Sequence, residues 1–258
     1  MLLECKGVAV AQRLSPFSVS VAQGELIHLL GPNGAGKSTL LACLSGLTPT
    51  RGEVLFNDIP ITRYSASRLA RHCGWLVQQH MPPGNMPVWH YLNMHLVGDR
   101  PADEQTVMAV CDIFLMSDKL TRPLHQLSGG EWQRVRLAAV CIQTAQPEGQ
   151  LLLLDEPLTG LDLARQSAFD RYLARRVADG LTVIMSSHDI NHSLHYAHRV
   201  WLLGNGELRH QGAAAEVLQA ENVSEIYGIP FRRLNTAGQP FLTTLPEDSA
   251  NLACQTHL

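Results

Sequence analysis

The chain has 258 residues, 45% hydrophobic and 17% charged, which at about 150 residues per domain gives one large domain or one carrying a sizeable insertion. Twenty basic residues against 23 acidic ones leave a net charge of −3, which argues against a general electrostatic grip on nucleic acid, so no nucleic-acid partner is expected. No apolar run approaches the roughly 18 to 20 residues of a bilayer helix, and the start Met1-Leu2-Leu3-Glu4-Cys5-Lys6 lacks a signal-peptide pattern, so neither a membrane span nor secretion is expected.

In chain order, Ser18 to Val21 alternates like a strand, a turn follows at Gln23-Gly24, and Leu26 to Leu30 reads as a buried strand running into a glycine-rich loop. Ser38 to Ser45 reads as a helix with Leu40, Leu41 and Leu44 apolar and Gly46 just past its end. Val54 to Phe56 is a short strand, Ser65 to His72 an amphipathic stretch, and Gly74 to Val77 a strand ending at Gln78. Pro82, Pro83, Gly84 and Pro87 then break regular structure before helical patterns at Val88 to Leu96 and Glu104 to Leu115. Residues 79–145 are therefore expected to form a helical insertion.

Strand patterns resume at Leu151 to Leu154 and Leu181 to Met185, apolar on both faces and joined by a helical stretch. Such runs imply an α/β fold with a parallel sheet covered on both sides. Val200 to Leu203 and Glu207 to His210 read as a hairpin around Gly204-Asn205-Gly206, and a second hairpin is expected around Ala237-Gly238. The expected division is a core of 1–78 with 146–212, the insertion 79–145, a C-terminal helix and hairpin over 213–246, and a flexible tail over 247–258. The six cysteines, at 5, 43, 73, 111, 141 and 254, show neither zinc-finger spacing nor close pairs. Reduced thiols are expected, with Cys43 as a packing residue.

Three strings carry chemistry. The first is Gly31-Pro32-Asn33-Gly34-Ala35-Gly36-Lys37-Ser38, followed by Thr39, between a strand and a helix. Its glycines let backbone N–H groups turn inward around a phosphate, the helix adds its positive end, Lys37 a point charge, and Ser38 a hydroxyl for Mg²⁺. A plain flexible turn is the bland alternative, but composition alone yields this string in only about one chain in a hundred. In the second, Leu151 to Leu154 runs into Asp155-Glu156. Asp155 is placed to hold Mg²⁺ and Glu156 to orient or deprotonate an attacking water. A solvated acidic loop is the competing reading, and the neighbouring phosphate loop disfavours it. The third is Ser128-Gly129-Gly130-Glu131. A helix-starting capping box and a second anion site on bare backbone amides both fit these residues, and the string alone leaves both open.

In this order and spacing the three strings resemble the ATP-binding cassette family. The resemblance implies a P-loop NTPase fold with a parallel-sheet core, an N-terminal antiparallel β subdomain and a helical insertion. It also implies ATP hydrolysis with Mg²⁺, with Gln78 as a metal and water contact, Asp162 as a coupling residue and His188 as a contact to the γ-phosphate. Two copies would pair head to tail, the Lys37 and Ser38 site of one closed by Ser128, Gly129, Gly130 and Glu131 of the other. The aromatic that family members place on adenine has no counterpart in Val8 to Arg13.

Pro87 to Leu92, the Glu131-Trp132-Gln133-Arg134-Val135-Arg136-Leu137 run, Ser186 to His192, and Tyr227-Gly228 with Phe231 to Leu234 resemble the branch of the family that powers vitamin B12 (cobalamin) import. Iron-siderophore or haem import is the nearest alternative. This closer likeness implies two integral membrane permease subunits, a periplasmic substrate-binding protein and a place on the cytoplasmic face of the bacterial inner membrane. The stretch after Gln78 is then the expected groove for a permease helix. A soluble non-transport cassette is disfavoured because the chain has one cassette and no sustained heptads. Four histidines, at 188, 192, 195 and 198, raise a rival metal-binding face. With Asp189 as an N-cap and Ile190, Leu194 and Ala197 inward, His192 and His195 are expected on an exposed face without carboxylate partners, and the metal face is set aside.

Overall fold

The computed structural model describes residues 1–78, 81–97, 102–236 and 238–244; the expected tail at 247–258 lies outside them. The strands are β1 (Leu3–Val10), β2 (Leu14–Val21), β3 (Leu26–Leu30), β4 (Arg51–Phe56), β5 (Ile59–Pro60), β6 (Cys73–Leu76), β7 (Leu151–Leu154), β8 (Thr182–Ser186), β9 (Arg199–Gly204), β10 (Glu207–Ala213), β11 (Phe231–Thr236) and β12 (Gln239–Thr244). The α-helices are α1 (Lys37–Leu44), α2 (Ala66–His72), α3 (Val88–Asn93), α4 (Glu104–Ile113), α5 (Gly129–Ala145), α6 (Leu163–Ala178), α7 (Ile190–Tyr196), α8 (Ala214–Val217) and α9 (Ala220–Tyr227).

The central sheet has the order β10-β9-β3-β8-β7-β6, parallel from β9 to β6, with β10 antiparallel at the edge. A second, antiparallel sheet runs β2-β1-β4-β5. The parallel-sheet core and the antiparallel β unit are as the sequence implied. β1 was not expected from the sequence: it is interrupted between Cys5 and Val8 and again between Val8 and Val10, which destroys a simple alternation. Both expected hairpins form, as β9–β10 and β11–β12.

The leucine run of β7 shows why its residues are apolar on both faces. Leu151 and Leu153 join Leu40, Leu41 and Leu44 of α1 on one side of the sheet, while Leu152 and Leu154 join Val135, Ala138 and Phe169 of α5 and α6 on the other. A third cluster places Val217, Leu218 and Val223 from the C-terminal helices against Leu30, Val200 and Leu202. Every one of these strand residues is fully or almost fully buried. β6 and β7 are neighbours in the sheet although 74 residues separate Leu76 from Leu151, so the segment between them leaves the sheet and returns to it. Among the described residues no helix is long and apolar enough to cross a membrane.

Candidate active site

The phosphate-loop string sits where the sequence puts it, between β3 and α1. Gly31 has φ +149°, and a Cβ there would lie 2.2 Å from the Leu203 carbonyl oxygen, a contact no other residue type could accept. Ala35 is buried behind the loop, its carbonyl accepting the Gly206 N–H at 3.1 Å. Asn33, Gly34, Gly36, Lys37, Ser38 and Thr39 line a cleft of about 930 Å³, and Gln78, Glu156 and His188 line the same cleft. The Lys37 ammonium reaches back to the carbonyls of Gly31 at 2.7 Å and Pro32 at 3.1 Å. Burial lowers its pKa from the ordinary lysine value, opposed by the carboxylates of Glu156 and Asp155.

The two adjacent carboxylates at the end of β7 have different surroundings. Asp155 is almost fully buried and accepts a hydrogen bond from the Ser186 hydroxyl at 2.7 Å. The same hydroxyl oxygen accepts the backbone N–H of Glu156 at 2.8 Å. Glu156 itself stands in the left-handed region at φ 49°, a conformation that costs a non-glycine residue about 1 kcal/mol or more. Its carboxylate lies 2.5 Å from His188 Nε2. Burial pushes the Glu156 pKa up, but hydrogen bonds from His188 and Gln78 and the Lys37 charge outweigh it and hold the carboxyl below its ordinary value.

Ser186 is a site residue that sequence reasoning did not single out. β7 and β8 pair in parallel with Leu154 level with Met185, so Asp155 and Ser186 emerge together at the strand ends. A hydroxyl closing an otherwise apolar strand, one residue level with a strand-end aspartate, is the signal that could have found it.

The Ser128 string resolves into a helix start. The Ser128 hydroxyl accepts the Glu131 N–H at 3.3 Å and the Glu131 carboxylate accepts the Ser128 N–H at 2.9 Å, a complete capping box. Glu131 also pairs with Arg122 at 3.3 Å and Lys119 at 3.8 Å. None of Ser128, Gly129, Gly130 or Glu131 lines the cleft that holds the phosphate loop. A Cβ on Gly129 would meet nothing within 4 Å, and one on Gly130 would lie 3.7 Å from the Gly160 carbonyl oxygen. The first two positions of this helix therefore carry no side chain. Asp162 likewise stays outside the cleft, capping α6 through the Arg165 N–H at 3.0 Å and pairing with the Arg165 guanidinium at 2.8 Å.

Ala9, Val10, Ala11, Gln12 and Arg13 also line the cleft, and among the described residues no phenylalanine, tyrosine or tryptophan does. Cys43 is buried, its thiol pKa pushed up to about 11 by burial, as suits a packing residue. One expectation about the histidines is corrected: His192 does have a carboxylate partner, its Nε2 lying 3.0 Å from Asp170 on α6. The pair joins residues 22 apart on two helices, and no local spacing announces it.

A profile of the family described as ABC transporter matches residues 14–159, a span that includes the phosphate loop, the capping-box string and the paired carboxylates. The chain belongs to the ABC transporter family. Two relatives, both named vitamin B12 import ATP-binding protein BtuD, are those of Citrobacter koseri at 49% identity and Salmonella heidelberg at 48%; each alignment covers 93% of this chain and 97% of the relative. Two solved structures share the fold. One is a metal-chelate type ABC transporter in an inward-facing conformation, with TM-score 0.74, 21% identity and coverage of 96% of this chain and 99% of the other. The second is an ATP-binding subunit of an ABC transporter, with TM-score 0.76, 21% identity and coverage of 88% and 94%. Binding and hydrolysis of ATP come with membership of this ABC family.

Proposed function

We propose that this chain is the ATP-hydrolysing subunit of an importer for vitamin B12, pairing with a second copy of itself and with two membrane permease subunits at the cytoplasmic face of the bacterial inner membrane. The substrate rests on the two relatives whose printed name is vitamin B12 import ATP-binding protein, aligned over nearly their whole length. The catalytic assignment rests on one observation above the rest, the Glu156 carboxylate held against His188 in the lining of the phosphate-loop cleft.

In this reading the β- and γ-phosphates lie on the loop amides from Asn33 to Ser38, and Lys37 exchanges its loop carbonyls for phosphate oxygens. The donor set of Ser38, Gln78 and Asp155 offers a hydroxyl, an amide oxygen and a carboxylate, the hard oxygen ligands that Mg²⁺ takes. Bound there, Mg²⁺ would neutralise phosphate charge. Ser186 keeps Asp155 oriented and fixes the backbone of Glu156. Glu156, ionised because His188, Gln78 and Lys37 favour its charged form, accepts a proton from the attacking water. His188 steers that carboxylate and donates to the developing charge on the γ-phosphate.

The Gly129 and Gly130 amides point to a site completed between chains. Two glycines at a helix start cost about 1 kcal/mol each against alanine, and within one chain they face no phosphate cleft. Head-to-tail pairing brings the N-terminus of α5, with Ser128, Gly129, Gly130 and Glu131, onto the nucleotide of the other copy, and Asp162 lies beside that seam. A stretch over 79–145 acts as the unit carrying this helix, with 1–78 and 146–212 as the nucleotide-binding core. Exposed Trp89 and Met94 mark the face offered to a permease helix.

Reconstitution tests the whole reading. Membrane vesicles holding the permease pair, the periplasmic binding protein and this chain take up cobalamin only with ATP inside. Uptake that ignores ATP, or turnover driven by a ferric siderophore and not by cobalamin, would overturn the assignment.

A further inference from the structure

Behind His188 lies a buried polar cluster that the hydrolysis reading leaves unused. His28, on β3, is fully buried, and its ring lies flat against that of His192 on α7, with centroids 5.5 Å apart and 12° between planes. His28 Nδ1 is 2.9 Å from the Ser193 hydroxyl oxygen. That hydroxyl already donates to the Asp189 carbonyl at 2.8 Å, so the proton joining the pair belongs to His28 Nδ1. Burial, with His192 adjacent, lowers the His28 pKa to about 3, which leaves the ring neutral.

The cluster grips the segment that carries His188 from several sides. His192 Nε2 reaches both carboxylate oxygens of the buried Asp170 on α6, at 3.1 and 3.0 Å. Asp189 caps α7, its side chain accepting the His192 N–H at 2.8 Å, and the Ser187 hydroxyl oxygen accepts the Asp189 N–H at 3.1 Å. The Ser187 N–H in turn donates to the carbonyl of Leu29, the residue after His28, at 3.1 Å. Among the described residues, His28 Nε2 and His192 Nδ1 are buried with no hydrogen-bond partner. An apolar side chain at position 28 would avoid that cost, so packing alone does not account for a histidine there.

We propose that His28 and Ser193 are positioning residues for hydrolysis: they fix the first turn of α7 to β3 and thereby hold His188 against Glu156. The inference rests on the reading of the chain as an ATP hydrolase. Neither side chain lines the cleft, so both act only through the path from Ser193 to Asp189 and on to His188.

Two variants of the full-length chain separate this role from a general structural one. His28→Leu removes the donor to Ser193 and fills similar space, whereas His28→Asn restores an N–H close to the place of Nδ1. In His28→Leu, kcat is expected to fall about tenfold, with KM for ATP within about twofold of wild type and no fall in melting temperature. His28→Asn is expected to recover most of the lost kcat. Wild-type kcat in His28→Leu, an equal loss in both variants, or a loss matched by a rise in KM would each overturn the proposal. A wild-type chain without turnover would instead sink the hydrolase reading. The positioning role would then be judged by the ¹⁵N signal of the His188 ring, assigned with His188→Gln. It must shift in His28→Leu and return in His28→Asn, and a signal that stays put overturns the role.

Discussion

The Glu156 carboxylate meets His188 Nε2 at 2.5 Å, joining the end of β7 to the residue that precedes the cap of α7. This contact places a charged acceptor and a proton donor at one point of the cleft. Replacing Glu156 with glutamine keeps the shape and removes the proposed base. Glu156→Gln is expected to bind ATP as wild type does and to lose about 10²- to 10⁴-fold in hydrolysis. Phosphate release and equilibrium nucleotide binding, measured side by side, check both halves; near-normal turnover would show that another group takes the proton.

The same contact fixes the sign of a pH effect. The Glu156 carboxyl is held below its ordinary value of 4.5, with burial opposed and outweighed by His188, Gln78 and Lys37. A depressed carboxyl adds stability that is present above the unfolded-state value and is lost as pH falls through the folded-state one. Carboxyl ¹³C NMR should therefore give a Glu156 midpoint below 4.5 in the wild type and a higher one in His188→Ala. A midpoint unchanged by that substitution would remove His188 as a cause.

Lys37 is the one ammonium on the phosphate loop, and its charge is already partly desolvated. Lys37→Ala is expected to weaken ATP binding by about tenfold or more, the scale of a lost charge-assisted contact of about 1.5 to 3 kcal/mol. Calorimetric titration of ATP reads this directly. Unchanged affinity would mean that the loop amides alone carry the phosphates.

Two loop glycines should respond differently to alanine. At Gly31 a Cβ would collide with the Leu203 carbonyl at 2.2 Å, while at Gly34 nothing lies within 4 Å and only the positive φ of +81° resists. Gly34→Ala is expected to cost about 1 to 2 kcal/mol of stability, and Gly31→Ala distinctly more. Denaturant unfolding of both variants checks the order, and equal losses would contradict the clash.

Much of this architecture is legible in the sequence because its signals are local. Leu151 to Leu154 announces a strand buried on both faces, and Gly31 to Ser38 announces a phosphate loop whatever surrounds it. What stayed hidden depends on residues brought together by the sheet. Ser186 touches Asp155 only because β7 and β8 pair in parallel and end level. His192 finds Asp170 only because α7 lies against β3 and α6 against the neighbouring β8, which overturns the exposed, partnerless position its helical spacing implied. β1 escaped notice because its irregular register scrambles the alternation that marks a half-buried strand.

Glu156 sits at φ 49°, in backbone territory that glycine or asparagine occupies with less resistance. A library of variants selected only for heat resistance would therefore tend to discard this glutamate, and one selected for turnover would keep it. The two selections would diverge at this codon, and that divergence would mark the proposed catalytic residue from variant sequences alone.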